Sequence, residues 1–182
     1  MRPIMQVRLS GFGGQGVVLA GVLLGQAGVL DGRFVAGSNS YGAQARGSGC
    51  KAEIIFSDNP IDFPHLIVAD ILVAMSQGGY EQYARGVRPT TGLILYDQGQ
   101  VNPQEDLLVR QMAIPATGWA INTLKSKQVA NIVFLGALIG ITDILSVQAM
   151  RKAIRLHMTE RFRKLNLEAL KIGLHIGRQV RG

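Results

Sequence analysis

Residues 11–16 read Gly-Phe-Gly-Gly-Gln-Gly, and what flanks them limits the fold more than any other stretch of the chain. Before the turn, Met5, Val7 and Leu9 alternate with Gln6 and Arg8, the period of a half-buried strand. After it, residues 17–30 are apolar on nearly every face, as expected of a helix held between a sheet and another layer, and Asp31-Gly32 closes them. A strand that turns tightly into a buried helix is the opening of an α/β domain.

Gly11, Gly13 and Gly16 satisfy G-x-G-x-x-G in the context where backbone N–H groups and a helix N-terminus hold phosphate. A dinucleotide site also needs an acidic residue at the end of the second strand, where this chain has Val35-Ala36-Gly37-Ser38; Asp31 precedes that strand. A nucleotide-triphosphate loop needs Lys and then Ser or Thr, where Val17 and Val18 stand. The plain alternative is that the glycines serve only a tight turn and close packing. Gln15 weighs against it, because its amide brings a donor and an acceptor more useful to a ligand or partner than to packing.

Further along, residues 33–36 read as a short second strand, and 37–49, rich in Gly, Ser and Asn, as an exposed loop. A third strand is expected over 51–57, with a turn at Asp58-Asn59-Pro60. Strands at 71–74 and 93–96 enclose a helix at about 79–85, and 109–114 forms another strand ended by Pro115. Helix is expected from Trp119 to Leu138 with a break near Lys125, then over 147–157 with Ser146 as N-cap, then from Leu167 with Asn166 as cap. The expectation is one Rossmann-like domain over 1–182: a three-layer α/β/α fold with a mostly parallel or mixed sheet, and a basic helical segment at 146–182.

Composition excludes several functions. The longest apolar runs, 17–30 and 129–141, fall short of a spanning helix, and no secretory leader is legible, so a cytoplasmic protein is expected. Cys50 is the only cysteine, too few for an iron-sulfur cluster, and His65, His157 and His175 are scattered, so no metal is assigned. The net charge of +7 is confined to the tail: residues 1–150 carry ten basic and ten acidic residues, 151–182 nine and two. Without a stacking-aromatic cluster or a recognisable binding module, an acidic partner is expected there, not nucleic acid.

The turn at 11–16 is similar to the opening motif of the gamma subunits of 2-oxoacid:ferredoxin oxidoreductases. So is Asn39-Ser40-Tyr41-Gly42-Ala43-Gln44-Ala45-Arg46-Gly47-Ser48-Gly49-Cys50-Lys51-Ala52-Glu53, which resembles the family's Ser-Tyr-Gly, Arg-Gly and Ala-Glu series. The likeness continues through Ser57-Asp58, Pro60-Ile61, Asp70-Ile71-Leu72-Val73-Ala74-Met75-Ser76-Gln77, Tyr96-Asp97 and Asn131-Ile132-Val133-Phe134-Leu135-Gly136-Ala137 to near Asn166. Ser48-Gly49 and Cys50 depart from the small or polar residues expected there and bear on subfamily.

The resemblance implies a complex that converts a 2-oxoacid and coenzyme A to an acyl-CoA and carbon dioxide and passes electrons to ferredoxin or a similar carrier. It implies alpha, beta and ferredoxin-like partner subunits that carry thiamine diphosphate and the iron-sulfur clusters. This chain has neither a Gly-Asp-Gly signature nor cluster cysteines, so the isolated chain is expected to be inactive and to self-associate. The residues marked for a coenzyme A or partner contact are Gly11, Gly13, Gly14, Gln15, Gly16, Tyr41, Gly42, Arg46 and Gly47. Cys50 is expected to be inert and Asp97 to cap or turn the chain. A free-standing dinucleotide oxidoreductase and a purely architectural subunit stand as the alternatives. Both motif loops are expected at the carboxyl ends of neighbouring strands, with Arg46 beside the glycine turn.

Overall fold

A computed structural model describes residues 4–41 and 49–181. Six strands, β1 (Met5–Phe12), β2 (Phe34–Tyr41), β3 (Gly49–Ser57), β4 (Ile71–Ala74), β5 (Leu93–Asp97) and β6 (Arg110–Ile114), form one sheet in the order β2-β3-β1-β4-β5-β6. β1, β4, β5 and β6 are mutually parallel, whereas β3 runs antiparallel to both of its neighbours. The sheet is therefore mixed, as the α/β reading allowed, and β1 and β2 are separated by β3 where neighbouring strands were expected.

Strand β2 is twice as long as its sequence suggests. The polar run from Gly37 to Tyr41 pairs with β3 instead of looping, because an edge strand can wet its outer side and one face of its pleat. On that face Ser38 donates to Glu53 at 3.3 Å.

Helices α1 (Val17–Leu30), α3 (Ala116–Asn122) and α4 (Ala130–Thr142) pack on one side of the sheet, where Val7, Leu9, Val73 and Leu95 meet Leu23, Leu24, Ile132 and Leu135 in the main core. α5 (Val147–His157) and α6 (Glu160–Arg181) lie behind them. The other side is covered by the short α2 (Gln77–Tyr83), whose Tyr80 sits in a smaller core with Leu72, Ala74 and Ile94.

The expected helix from Trp119 to Leu138 is two helices broken at Lys125, whose φ of 53° cannot continue a helix. Ser146 caps α5 as expected, accepting from Ala149 N–H at 3.1 Å. Asn166 is not a cap: α6 starts at Glu160, and buried Asn166 donates to Phe162 O one turn earlier at 2.8 Å. The side chain satisfies itself on its own helix, and that is how a cap former survives mid-helix.

On the thin side of the sheet, Arg8 of β1 bonds Glu53 of β3 at 2.7 Å, and Lys51 bonds the same carboxylate at 2.9 Å. Arg8 stacks over the Tyr83 ring at 4.8 Å. Burial pushes the Glu53 carboxyl up, but the hydrogen bonds and charges of Lys51 and Arg8 outweigh it and hold the group below its ordinary value.

Candidate functional site

The carboxyl ends of β1, β4 and β5 open onto a cavity of about 370 Å3. Parallel strands each deliver the chain to a helix on the same edge, so helix N-termini collect there. Phe12, Gly13, Gly14 and Gln15 form one wall; Met75, Gln100 and Thr117 come from the ends of β4, β5 and β6; Lys127, Gln128, Asn131 and Phe134 close the far side. Met75 and Phe134 are buried and make an apolar floor.

Two glycines of the turn are needed for conformation. Gly14 has φ 95° and Gly16 φ 70°, values that L side chains avoid. Gly16 also faces Asn131, whose Nδ2 donates to Gly16 O at 3.0 Å and ties the start of α4 to the start of α1. Gly11, within β1, leaves room for the Gln15 side chain, which a Cβ there would meet at 2.5 Å.

The Gln15 amide is consumed by the fold. Its Oε1 accepts from Phe12 N–H at 2.7 Å, and its Nε2 donates to Met75 O at 2.8 Å. Gln15 thus locks the glycine turn to the end of β4, and what it offers the cavity is a fixed wall.

Electrostatically the cavity favours an anion. α1 begins after Gly16 with no side-chain cap and no acidic residue in its first turn, whereas α4 follows directly on a single 3-10 turn over 127–129 and its Ile132 N–H is taken by Asn131 Oδ1 at 2.9 Å. The α1 start carries about half a positive charge, and Lys127 adds a formal one at the cavity. Sequence reasoning missed Lys127, Gln128, Gln100 and Thr117, which lie far from the glycines in the chain. Asn131 left a trace, as the one polar residue opening an otherwise apolar helix.

Asp97 behaves as the sequence suggested. Its buried carboxylate accepts from Thr117 N–H at 3.0 Å, Thr117 Oγ1 at 2.7 Å and Gly99 N–H at 3.0 Å, so it turns the chain after β5 and holds the start of α3. Cys50 is buried, and burial pushes its thiol above the ordinary value, as fits an inert residue.

Tyr41 ends β2 opposite Cys50, which in turn lies opposite Gly11. The second motif strand therefore ends at the same edge as the first, two strand spacings away, roughly 10 Å. Gly42, Arg46 and Gly47, and with them the expected approach of Arg46 to the glycine turn, lie outside the described residues.

The profile of the family described as pyruvate ferredoxin/flavodoxin oxidoreductase matches residues 6–176. The chain is similar to the 2-oxoglutarate synthase subunit KorC of Methanocaldococcus jannaschii, at 40% identity over 96% of this chain and 95% of that one. Among solved structures it resembles the gamma subunit of a keto/oxoacid ferredoxin oxidoreductase from Geobacter sulfurreducens. That likeness has a TM-score of 0.85 and 32% identity over 96% of this chain and 99% of the other. The fold also recurs, at a TM-score of 0.88 and 22% identity, across 32% of a longer chain. This is the 2-oxoglutarate:ferredoxin oxidoreductase of Magnetococcus marinus with 2-oxoglutarate, coenzyme A and succinyl-CoA bound.

Proposed function

The chain belongs to the pyruvate ferredoxin/flavodoxin oxidoreductase family, as a gamma-type subunit of a 2-oxoacid:ferredoxin oxidoreductase, and from that premise we propose that its glycine-turn cavity receives part of coenzyme A. The whole chain, 1–182, is read as one domain of this type. The observation that carries the proposal is the placement of Lys127 opposite the glycine turn over an apolar floor. Lys127 would meet a phosphate, and Met75 and Phe134 the thinner apolar part of the molecule. A volume of about 370 Å3 suits one portion of a coenzyme A, so the remainder would lie against a partner chain.

The cofactors of the redox chemistry do not fit this chain. One buried cysteine with a raised pKa is not a cluster ligand set, and the sequence has no Gly-Asp-Gly. Thiamine diphosphate and the clusters are assigned to the alpha, beta and ferredoxin-like subunits, and ferredoxin or a similar carrier to the complex as a whole. Among 2-oxoacids, the 40% identity to a 2-oxoglutarate synthase subunit favours 2-oxoglutarate. A cytoplasmic location fits the soluble carriers of such a complex, and no helix among the described residues is long and apolar enough to cross a membrane.

The test is Lys127→Ala in the assembled complex. The KM for coenzyme A should rise roughly tenfold, about the worth of one charge-assisted phosphate contact, with kcat little changed. A variant complex with wild-type KM would remove coenzyme A from this cavity.

A further inference from the structure

The tail helices hold charge that the rest of the chain does not balance. A groove of about 270 Å3 runs between α5 and α6, lined by Arg151, Arg155, Lys164, Leu167, Glu168 and Lys171. Its one carboxylate, Glu168, stands 3.9 Å from Lys171. Among the described residues, Arg151, Arg155 and Lys164 have no carboxylate within ion-pair distance. Arg151 and Arg155 stand one turn apart on one wall, and Lys164 and Lys171 two turns apart on the other, so four cations face a space with one anion.

Such an arrangement repels itself unless counter-charge arrives from outside. Its apolar lining is the half-buried Leu167 of α6, which lies between Lys164 and Lys171 on the same wall. An apolar side chain bordered by arginines matches the anatomy of a protein interface. A site for a nucleic-acid backbone would gain little from Leu167, because its affinity comes from phosphate neutralisation.

We propose that the α5–α6 groove docks an acidic segment of another protein chain of the complex, with carboxylates about one helical turn apart. This rests on the reading of the chain as a subunit. The groove is separate from the glycine-turn cavity, with which it shares no lining residue.

The test uses the complex co-expressed with its partner subunits. Carbodiimide treatment, which joins lysine amines to carboxylates in contact, should couple Lys164 or Lys171 to an Asp or Glu of another subunit. Recovery of the Lys171–Glu168 link alone would overturn the proposal. The double variant Arg151→Glu/Arg155→Glu should weaken assembly roughly tenfold or more at about 0.15 M salt. Arg110→Glu, a reversal at the start of β6 and outside the groove, should leave assembly unchanged. Equal melting curves of the isolated wild-type and double-variant chains separate docking from folding. If wild type assembles and the double variant assembles equally well, the groove is not an interface. If the wild-type chain itself finds no partner, the subunit reading fails first and takes this inference with it. Tight binding of a double-stranded DNA oligonucleotide that is lost in the double variant, with assembly intact, would assign the groove to nucleic acid and also overturn the proposal.

Discussion

Asp31 and Ser146 are 115 positions apart, and the Asp31 carboxylate takes both hydrogen bonds that Ser146 donates, from Oγ at 2.7 Å and from the backbone N–H at 2.7 Å. Asp31 sits at the C-cap of α1 and Ser146 at the N-cap of α5, so one carboxylate fixes the end of one helix to the start of another. Asp31→Ala should cost about 2 kcal/mol, since charged hydrogen bonds are worth more than neutral ones. Thermal denaturation should show a fall of roughly 4–8 °C for a chain of this size. Asp31→Asn should recover part of it. A melting curve unchanged by the alanine would mean that α5 docks by its apolar face alone.

Two glycine-to-alanine substitutions should act in opposite directions. At Gly173 in α6 an added Cβ would run into Val133 O and lie 2.9 Å from Ala137 N, backbone atoms of α4 that have no rotamer to change. Gly173→Ala should therefore destabilise by about 3 kcal/mol or more. At Gly118 in α3 the added Cβ meets nothing within 4 Å. Gly118→Ala should stabilise by about 0.5–1 kcal/mol, the usual gain from removing an interior helical glycine. Urea titration of both variants checks the pair, and the same sign for both would contradict the packing.

The Glu53 carboxylate should make stability depend on acid. Its folded pKa lies below the ordinary value, so its contribution is complete above the unfolded pKa of about 4.3 and disappears as pH falls through the folded value. Glu53→Gln leaves Arg8 and Lys51 without their counter-ion and should cost about 3 kcal/mol at pH 7. Urea titration of wild type and variant should show that gap closing below about pH 4. A gap independent of pH would mean the loss is one of packing and not of charge.

Leu19, Val22 and Val29 are 40%, 40% and 56% exposed along one side of α1, a helix without a single charged residue. The isolated chain should bind an apolar dye and sediment above its monomer mass, and Leu19→Ser/Val22→Ser should reduce both. A wild-type chain that stays monomeric and dark at high concentration would show that this stripe needs no cover.

Much of the fold was legible because it rests on local signals. The alternation of Met5, Val7 and Leu9, the glycine turn and the Ser146 cap each declare themselves within a few residues. What was hidden depends on partners distant in sequence. Residues 37–41 read as loop because their polarity suits solvent, and only the presence of β3 makes them an edge strand. Asp31 looked like a misplaced ribose ligand because Ser146, which it holds, lies more than a hundred positions on. At the candidate site the glycines announced the turn, but the cation that gives it a chemical preference, Lys127, is placed by the fold alone.

The bare backbone contact between α4 and α6 also sets an order of events in the cell. α4 is buried along nearly its whole length, and its glycines at 136 and 140 are covered by Gly173 and Gly177 near the far end of α6. While a ribosome is still adding residues 160–181, the most apolar helix of the chain has no lid. Folding therefore finishes only after α6 emerges, and a transcript cut short within α6 would yield a product that is drawn to chaperones or proteases instead of to its complex.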